Sequence, residues 1–281
     1  MAFETRGEAT GSSDGTSHTA GNGAKATVTN LGSTTTMDAN TMWVAIEKSG
    51  TSGRKILVDI TDDGTPCVPD LQIDHASAHI ATIYGPFPVQ VASGSQLGVS
   101  ASSTTTGATM EVIVYYSDQD FVSVSSGSTS TIGVSTATNS EGTLIPGNTT
   151  TANAVGTKTS IGTAPSDCEY FHIIIGRDAN TGLADSQGLL SVYYGTSGAN
   201  TLLQHLKIGA SQFDDQFHPE QMGPFNAAIL KSQEVFLELR MDHTTANDRD
   251  IRASMVFGRG TAVGDGGGAS GVRNPLVGPV E

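Results

Sequence analysis

The stretch 85-GPFPVQVASGSQLGVSAS-102 returns, 138 residues on, as 223-GPFNAAILKSQEVFLELRMD-242. In each, Gly-Pro-Phe leads into an alternating apolar run, a polar turn follows, and a second alternating run begins. In 235-VFLELRM-241, Val235, Leu237, Leu239 and Met241 share one face, and Phe236, Glu238 and Arg240 share the other. Leu97, Val99 and Ala101 line up in the same way. A period of two marks strands with one face buried and one face wet. Gly-Pro is expected to end the preceding segment and set the turn, with Phe starting an edge strand from Val89 to Ala92. Ser93-Gly94-Ser95 then turns the chain, and Lys231-Ser232-Gln233 does so in the second stretch.

Working outward, further pairs keep the same order. The run 42-MWVAI-46 matches 170-YFHII-174, and 56-ILVDI-60 matches 189-LLSVY-193. Upstream, 29-TNLG-32 matches 159-TSIG-162, and Ala9-Thr10 with Gly15-Thr16 matches Ala137-Thr138 with Gly142-Thr143. Downstream, 110-MEVIVYY-116 matches 251-IRASMVF-257, where Ile251, Ala253, Met255 and Phe257 alternate with Arg252, Ser254 and Val256. Ordered self-similarity of this kind is the signature of a repeated structural unit. The expectation is an all-β chain of two tandem, similar β-sandwich domains, jelly-roll-like, with about seven or eight short strands in each. The first spans 1–120 with an N-terminal arm. The second spans 121–260 with a short linker, and a flexible Gly-rich arm spans 261–281. No sustained helical period occurs. The best helix candidates, 202-LLQHLK-207 and 71-LQIDHASAHI-80, read equally well as strand plus turn.

Composition fits this reading. Charged residues are only 15% of the 281, and the shortfall is filled by Gly, Ser and Thr, which suit short strands and many turns. The net charge is −14, from 28 acidic and 14 basic residues. The basic residues are scattered, which disfavours nucleic acid as a partner. The two cysteines, Cys67 and Cys168, form no CxxC pair and read as unpaired thiols. The opening 1-MAFETRGEAT-10 has no apolar core, so no secretory signal is expected. No stretch approaches the ~20 apolar residues of a membrane helix.

The search for chemistry yields little. The pieces 50-GTSG-53 and 195-GTSG-198 have the wrong spacing for a nucleophile elbow and read as hairpin turns. The tail 264-GDGGGASGVRNP-275 has no strand before it and reads as an arm rather than a phosphate cradle. His75 and His79 are four apart, as metal ligands on a helix would be, but no third ligand accompanies them. His172 lies in a core-like strand and reads as structural. Asp178, Asn180 and Asp185 could wrap a hard cation, but the EF-hand spacing fails at Leu189; 62-DDG-64 and 214-DD-215 are thinner still. The single tryptophan, Trp43, sits at a core-like position, and few aromatics remain to line a sugar-cleaving cleft. No catalytic, cofactor-binding or metal residue is assigned, and no cofactor.

The run 86-PFPVQVASGSQLGVSASSTTTGATMEVIVYY-116 resembles a pattern in structural proteins of tailed bacteriophages. There an alternating strand leads through a P-x-G-S/T-x-I/L turn to a second strand, a Ser/Thr-rich loop and a final strand. This chain keeps Gly94-Ser95-Gln96-Leu97 and the Thr104–Thr106 loop, but has Ala92-Ser93 where the pattern has Pro-Ala. The opening 1-MAFETRGEATGSSDGTSHTA-20 also resembles the start of small phage virion proteins. The resemblance implies a non-enzymatic virion component made in the host cytoplasm. It would be an accessory protein on the outside of the capsid or on the tail. Its partners would be other virion subunits and copies of itself, with neither nucleic acid nor membrane. The alternative is a receptor- or carbohydrate-binding fibre or spike module, with a host surface glycan held by loops 177–188 and 196–205.

Overall fold

A computed structural model of the chain describes residues 2–8, 14–48, 55–74, 81–119, 122–123, 129–135, 141–177, 184–210, 217–218, 220–258 and 261–262. The first half contributes β1 (Phe3–Arg6), β2 (Thr16–Thr19), β3 (Gly21–Asn22), β4 (Thr29–Asn30), β5 (Ala39–Lys48), β6 (Lys55–Asp62), β7 (Thr65–Asp74), β8 (Ala81–Val91), β9 (Leu97–Ser103) and β10 (Thr109–Ser117). Then comes β11 (Val122–Ser123). The second half contributes β12 (Thr129–Ile132), β13 (Val134–Ser135), β14 (Glu141–Ile145), β15 (Thr159–Thr163), β16 (Cys168–Arg177), β17 (Ser186–Thr196), β18 (Ala199–Ala210), β19 (Phe217–His218), β20 (Gln221–Ile229), β21 (Glu234–Met241) and β22 (Ile251–Gly258). One helical turn, α1 (Ala246–Arg249), precedes β22, and β23 (Thr261–Ala262) pairs back onto β11.

The chain is all-β, and its strand order is that of a jelly roll. One sheet of the first half runs β1-β10-β5-β8, with β2 also on β10; the other runs β3-β9-β6-β7, with β4 on β9. The second half follows the same order. One sheet runs β13-β14-β22-β16-β20, with β12 on β22, and the other runs β15-β21-β17-β18-β19. Alternation places Met42, Val44 and Ile46 of β5 and Met110, Val112, Val114 and Tyr116 of β10 in one core, opposite Val58, Ile60, Val99 and Ala101. Phe171, Ile173, Ile175, Leu190, Val192, Leu237, Leu239, Met255 and Phe257 form the second core. Each buried Val, Leu, Ile, Phe or Met among them is worth about 1.5–3 kcal/mol of hydrophobic stabilisation.

Several expectations change. Gly85-Pro86 and Gly223-Pro224 do not end a segment. Each lies inside a sheet-edge strand, β8 or β20, where the pairing register shifts. A bulge on an edge strand tolerates a residue without an N–H. Gly85 and Gly223 have φ of 124° and 117°, and a Cβ there would lie 2.9 Å from Met42 O and 2.8 Å from Phe171 O. Only glycine fits. The turns at Ser93-Gly94 and Lys231-Ser232 are as expected. The helix candidate 202–207 is part of strand β18, and 71–74 of the other candidate is strand β7; residues 75–80 lie outside the described residues. Trp43 is not in the core: it points to the opposite face of β5 from Met42 and Val44 and stacks near Phe3, with ring centroids 6.0 Å apart.

Candidate functional site: the seam between the halves

The outer face of the β22-β16-β20 sheet should, by its alternation, be wet. Instead Tyr170, His172, Ser254 and Val256 are at most 0% exposed and Ile174 is 2% exposed. The face lies against β7 and β8 of the first half, and Ile174 and Val256 belong to the first core cluster. The second half therefore closes the open side of the first sandwich.

Polar groups line this apolar plug and fix its register. Thr129 and Thr131 donate to the carbonyl oxygens of Pro88 (2.8 Å) and Pro69 (2.5 Å). Gly85 N donates to Gln221 Oε1 (3.0 Å), and Gln221 Nε2 donates back to Gly85 O (2.7 Å). His172 Nε2 donates to Pro86 O at 3.0 Å. A carbonyl only accepts, so Nε2 carries a proton, and burial disfavours a second one on Nδ1. The pKa of the ring is held down at about 4. The ring meets Phe87 and Tyr170 edge-on, with centroids 5.5 and 5.9 Å apart. At the rim, Glu141 bridges Lys55 of the first half and Arg252 of the second, the latter at 3.0 Å.

Glu220 is a carboxyl group buried in this seam. Its carboxylate accepts from the Tyr84 hydroxyl (3.0 Å) and the Thr82 hydroxyl (3.2 Å). Burial pushes its pKa up to about 7, and the nearby Asp74 adds to the rise, while the two hydroxyls hold it back. Burial and the Glu220 charge in turn push the Tyr84 hydroxyl well above its usual value.

The sequence singled out His172 only as a structural residue; the structure puts it at the centre of the seam. Glu220 and Tyr84 were missed. The available signal was a carboxylate next to the 221-QMGPF-225 strand start, with its partner Tyr84 immediately before the other Gly-Pro. His75, His79, Asp178 and Asn180, the 50–53 and 214–215 pieces and the 264–275 tail lie outside the described residues. Asp185 accepts at its backbone O from His243 Nε2 (2.8 Å). Asp63 Oδ1 caps Gln96 N (2.9 Å), a turn role. Residues 197–198 of the other GTSG form the β17–β18 hairpin turn. Cys67 and Cys168 are free thiols, both raised to about 12 by burial, so neither is a ready nucleophile.

The outer face of the β21-β17-β18 sheet carries the other polar cluster. Ser191 Oγ meets His205 Nδ1 at 2.9 Å, and the Tyr193 hydroxyl donates to Glu238 at 3.1 Å. Glu238 lies across Ser191 from His205, so it cannot orient the imidazole, and the three do not make a relay. Lys158 sits 3.6 Å over the Tyr193 ring. Beside them an open depression of about 280 Å³ is lined by Asn153, Gln187, Leu189, Lys207 and Arg240. Among the described residues no cluster of His, Cys, Asp and Glu is arranged to hold a metal, and no helix is long and apolar enough to cross a membrane.

No protein-family model and no curated protein matches the chain. Among solved structures, it is similar to a chain in the atomic structure of Sulfolobus Turreted Icosahedral Virus, at 8% identity over 93% of this chain and 91% of that one, with a TM-score of 0.37. It is also similar to the VP2 subviral particle of infectious bursal disease virus, at 12% identity over 80% of this chain and 59% of that one, with a TM-score of 0.25.

Proposed function

We propose that this chain is a non-enzymatic structural component of a tailed-phage virion, an accessory protein docked on the outside of the capsid or on the tail. We read it as two tandem copies of one jelly-roll sandwich, 1–120 and 121–260, followed by an arm. The observation that carries this is the seam. Buried polar pairs at Glu220, Gln221 and His172 lock two sandwiches into one rigid unit, an arrangement suited to bearing load and presenting surfaces rather than to admitting a substrate. The net charge of −14 favours an outward position over prolonged contact with packaged nucleic acid. The resemblance of 86–116 to phage structural proteins supports the same setting.

Its partners are virion subunits and other copies of itself. The apolar segment 275-PLVGPV-280 follows a Gly-rich spacer and suits docking on a neighbour. Deleting residues 265–281 should leave the circular dichroism and melting of the purified protein unchanged and reduce its incorporation into particles, read by quantitative mass spectrometry. Unchanged incorporation would remove the arm's role. Imaging particles with and without the protein tests the wider reading: density should vanish from the head surface or the tail, and identical particles would refute it.

A further inference from the structure

The face that the second half turns into the seam has a counterpart in the first half, which is partly exposed. Strand register fixes the equivalences. Met42 and Phe171 each pair with the phenylalanine of a Gly-Pro-Phe. Trp43 therefore stands where His172 does, and Ala45 where Ile174 does. On the neighbouring strand, Tyr115 stands for Val256 and Glu111 for Arg252. Phe3, opposite Ser117, stands for Thr129, opposite Gly258. In the second half these positions lie in the seam. In the first half Trp43, Ala45 and Tyr115 are partly exposed, Phe3 is 54% exposed and Ile83, paired with Ala45, is 60% exposed. Together they make a flat apolar patch on a sheet face.

The receiving side also has a counterpart. The β7–β8 edge, which takes the plug, corresponds to the β18–β20 edge. Leu71 and Tyr84 on the covered edge are 0% and 1% exposed; Leu206 and Met222 at the equivalent places are 6% and 7% exposed. Phe225 is only partly buried where Phe87 is fully buried. The charges change together. In the seam, Gln72 of β7 lies against Arg252, with Nε2 3.4 Å from its carbonyl oxygen. At the equivalent places Lys207 replaces Gln72 and Glu111 replaces Arg252. The edge becomes basic where the face becomes acidic, with Arg240 beside Lys207 and Glu47 beside Glu111.

We propose that the first-half face of one chain docks on the β18–β20 edge of a second copy of this chain, repeating between chains the seam found within one. Tyr115 then takes the place of Val256 as the plug, Ile83 approaches Gly223 as Gln221 approaches Gly85, and Glu111 meets Lys207. Such a contact is head-to-tail, and it makes a ring if its rotation closes. The proposal rests on reading the halves as copies of one sandwich, and not on where the protein sits in a particle.

The test uses the full chain. Light scattering should show an oligomer. A Phe3→Cys chain mixed with an Asn226→Cys chain should give a covalent dimer on oxidation, because Thr129 and Pro88 meet at the equivalent point of the seam. Phe3→Cys mixed with Leu230→Cys, an exposed position off this edge, should not. Glu111→Lys and Lys207→Glu should each weaken assembly by about tenfold or more, and the double exchange should restore it. A chain that stays monomeric would overturn the proposal. So would an oligomer without the 3–226 cross-link or without charge-swap rescue, and that second outcome would leave the structural role in the virion standing.

Discussion

At Glu220 two demands conflict: the seam needs a hydrogen-bond acceptor for Tyr84 and Thr82, and burial disfavours a charge. The folded chain holds this carboxyl at about 7, above its ordinary value of 4.5. Between those values the folded state binds more protons than the unfolded one. Stability contributed here is present below the lower value and is lost as pH rises through the upper one. His172 works the other way. Its folded value of about 4 lies below the unfolded 6.5, so its contribution is lost as pH falls through that range. From about 4.5 to 6.5 the two oppose each other, and only near neutrality does Glu220 act alone. Glu220→Gln keeps an acceptor for the Tyr84 hydroxyl and removes the charge. It should raise stability at pH 8 by about 1–3 kcal/mol and change it little at pH 4.5, measured by urea unfolding at both values. A loss of stability at pH 8 would show that the carboxylate itself, not an acceptor, holds the seam.

At the scale of the strand, Val256 is the informative element of β22. It sits in the second half's sequence and in the first half's core. Val256→Ala should cost about 1–3 kcal/mol. Its distinguishing result is in hydrogen exchange: protection should fall in β7 and β8 as much as in β22 itself, and a loss confined to β22 would contradict the plug. The same double burial explains what the sequence could and could not reveal. Alternation in 235–241 and 97–101 made the core faces of β21 and β9 legible, and Leu31 and Ile161, of the pair 29-TNLG-32 and 159-TSIG-162, are both buried. The match of 42–46 with 170–174 is one residue out, because Phe171, not Tyr170, is equivalent to Met42. Both faces of β16 are buried, so its apolar pattern loses the period of two that would set the register. In the same way Val192, not Tyr193, answers Ile60. The strand β18 hid behind a bulge between its pairings to Val192 and Tyr193, which left Leu202, Leu203 and Leu206 at spacings that imitate a helix. Beyond the carboxylate beside the second Gly-Pro, little in the sequence marked the seam, because the side-chain hydrogen bonds that Glu220, His172 and Gln221 make across it run to residues 86 to 138 positions away.

For the whole molecule, the claim is that two sandwiches share one cooperative unit. The first core is completed by Ile174 and Val256, and the polar pairs around them leave neither half with its native surroundings once the other unfolds. Differential scanning calorimetry of the full chain measures this directly. A single transition is expected at neutral pH, with van't Hoff and calorimetric enthalpies that agree. Two separate transitions, each unaffected by Val256→Ala in the other half, would contradict it.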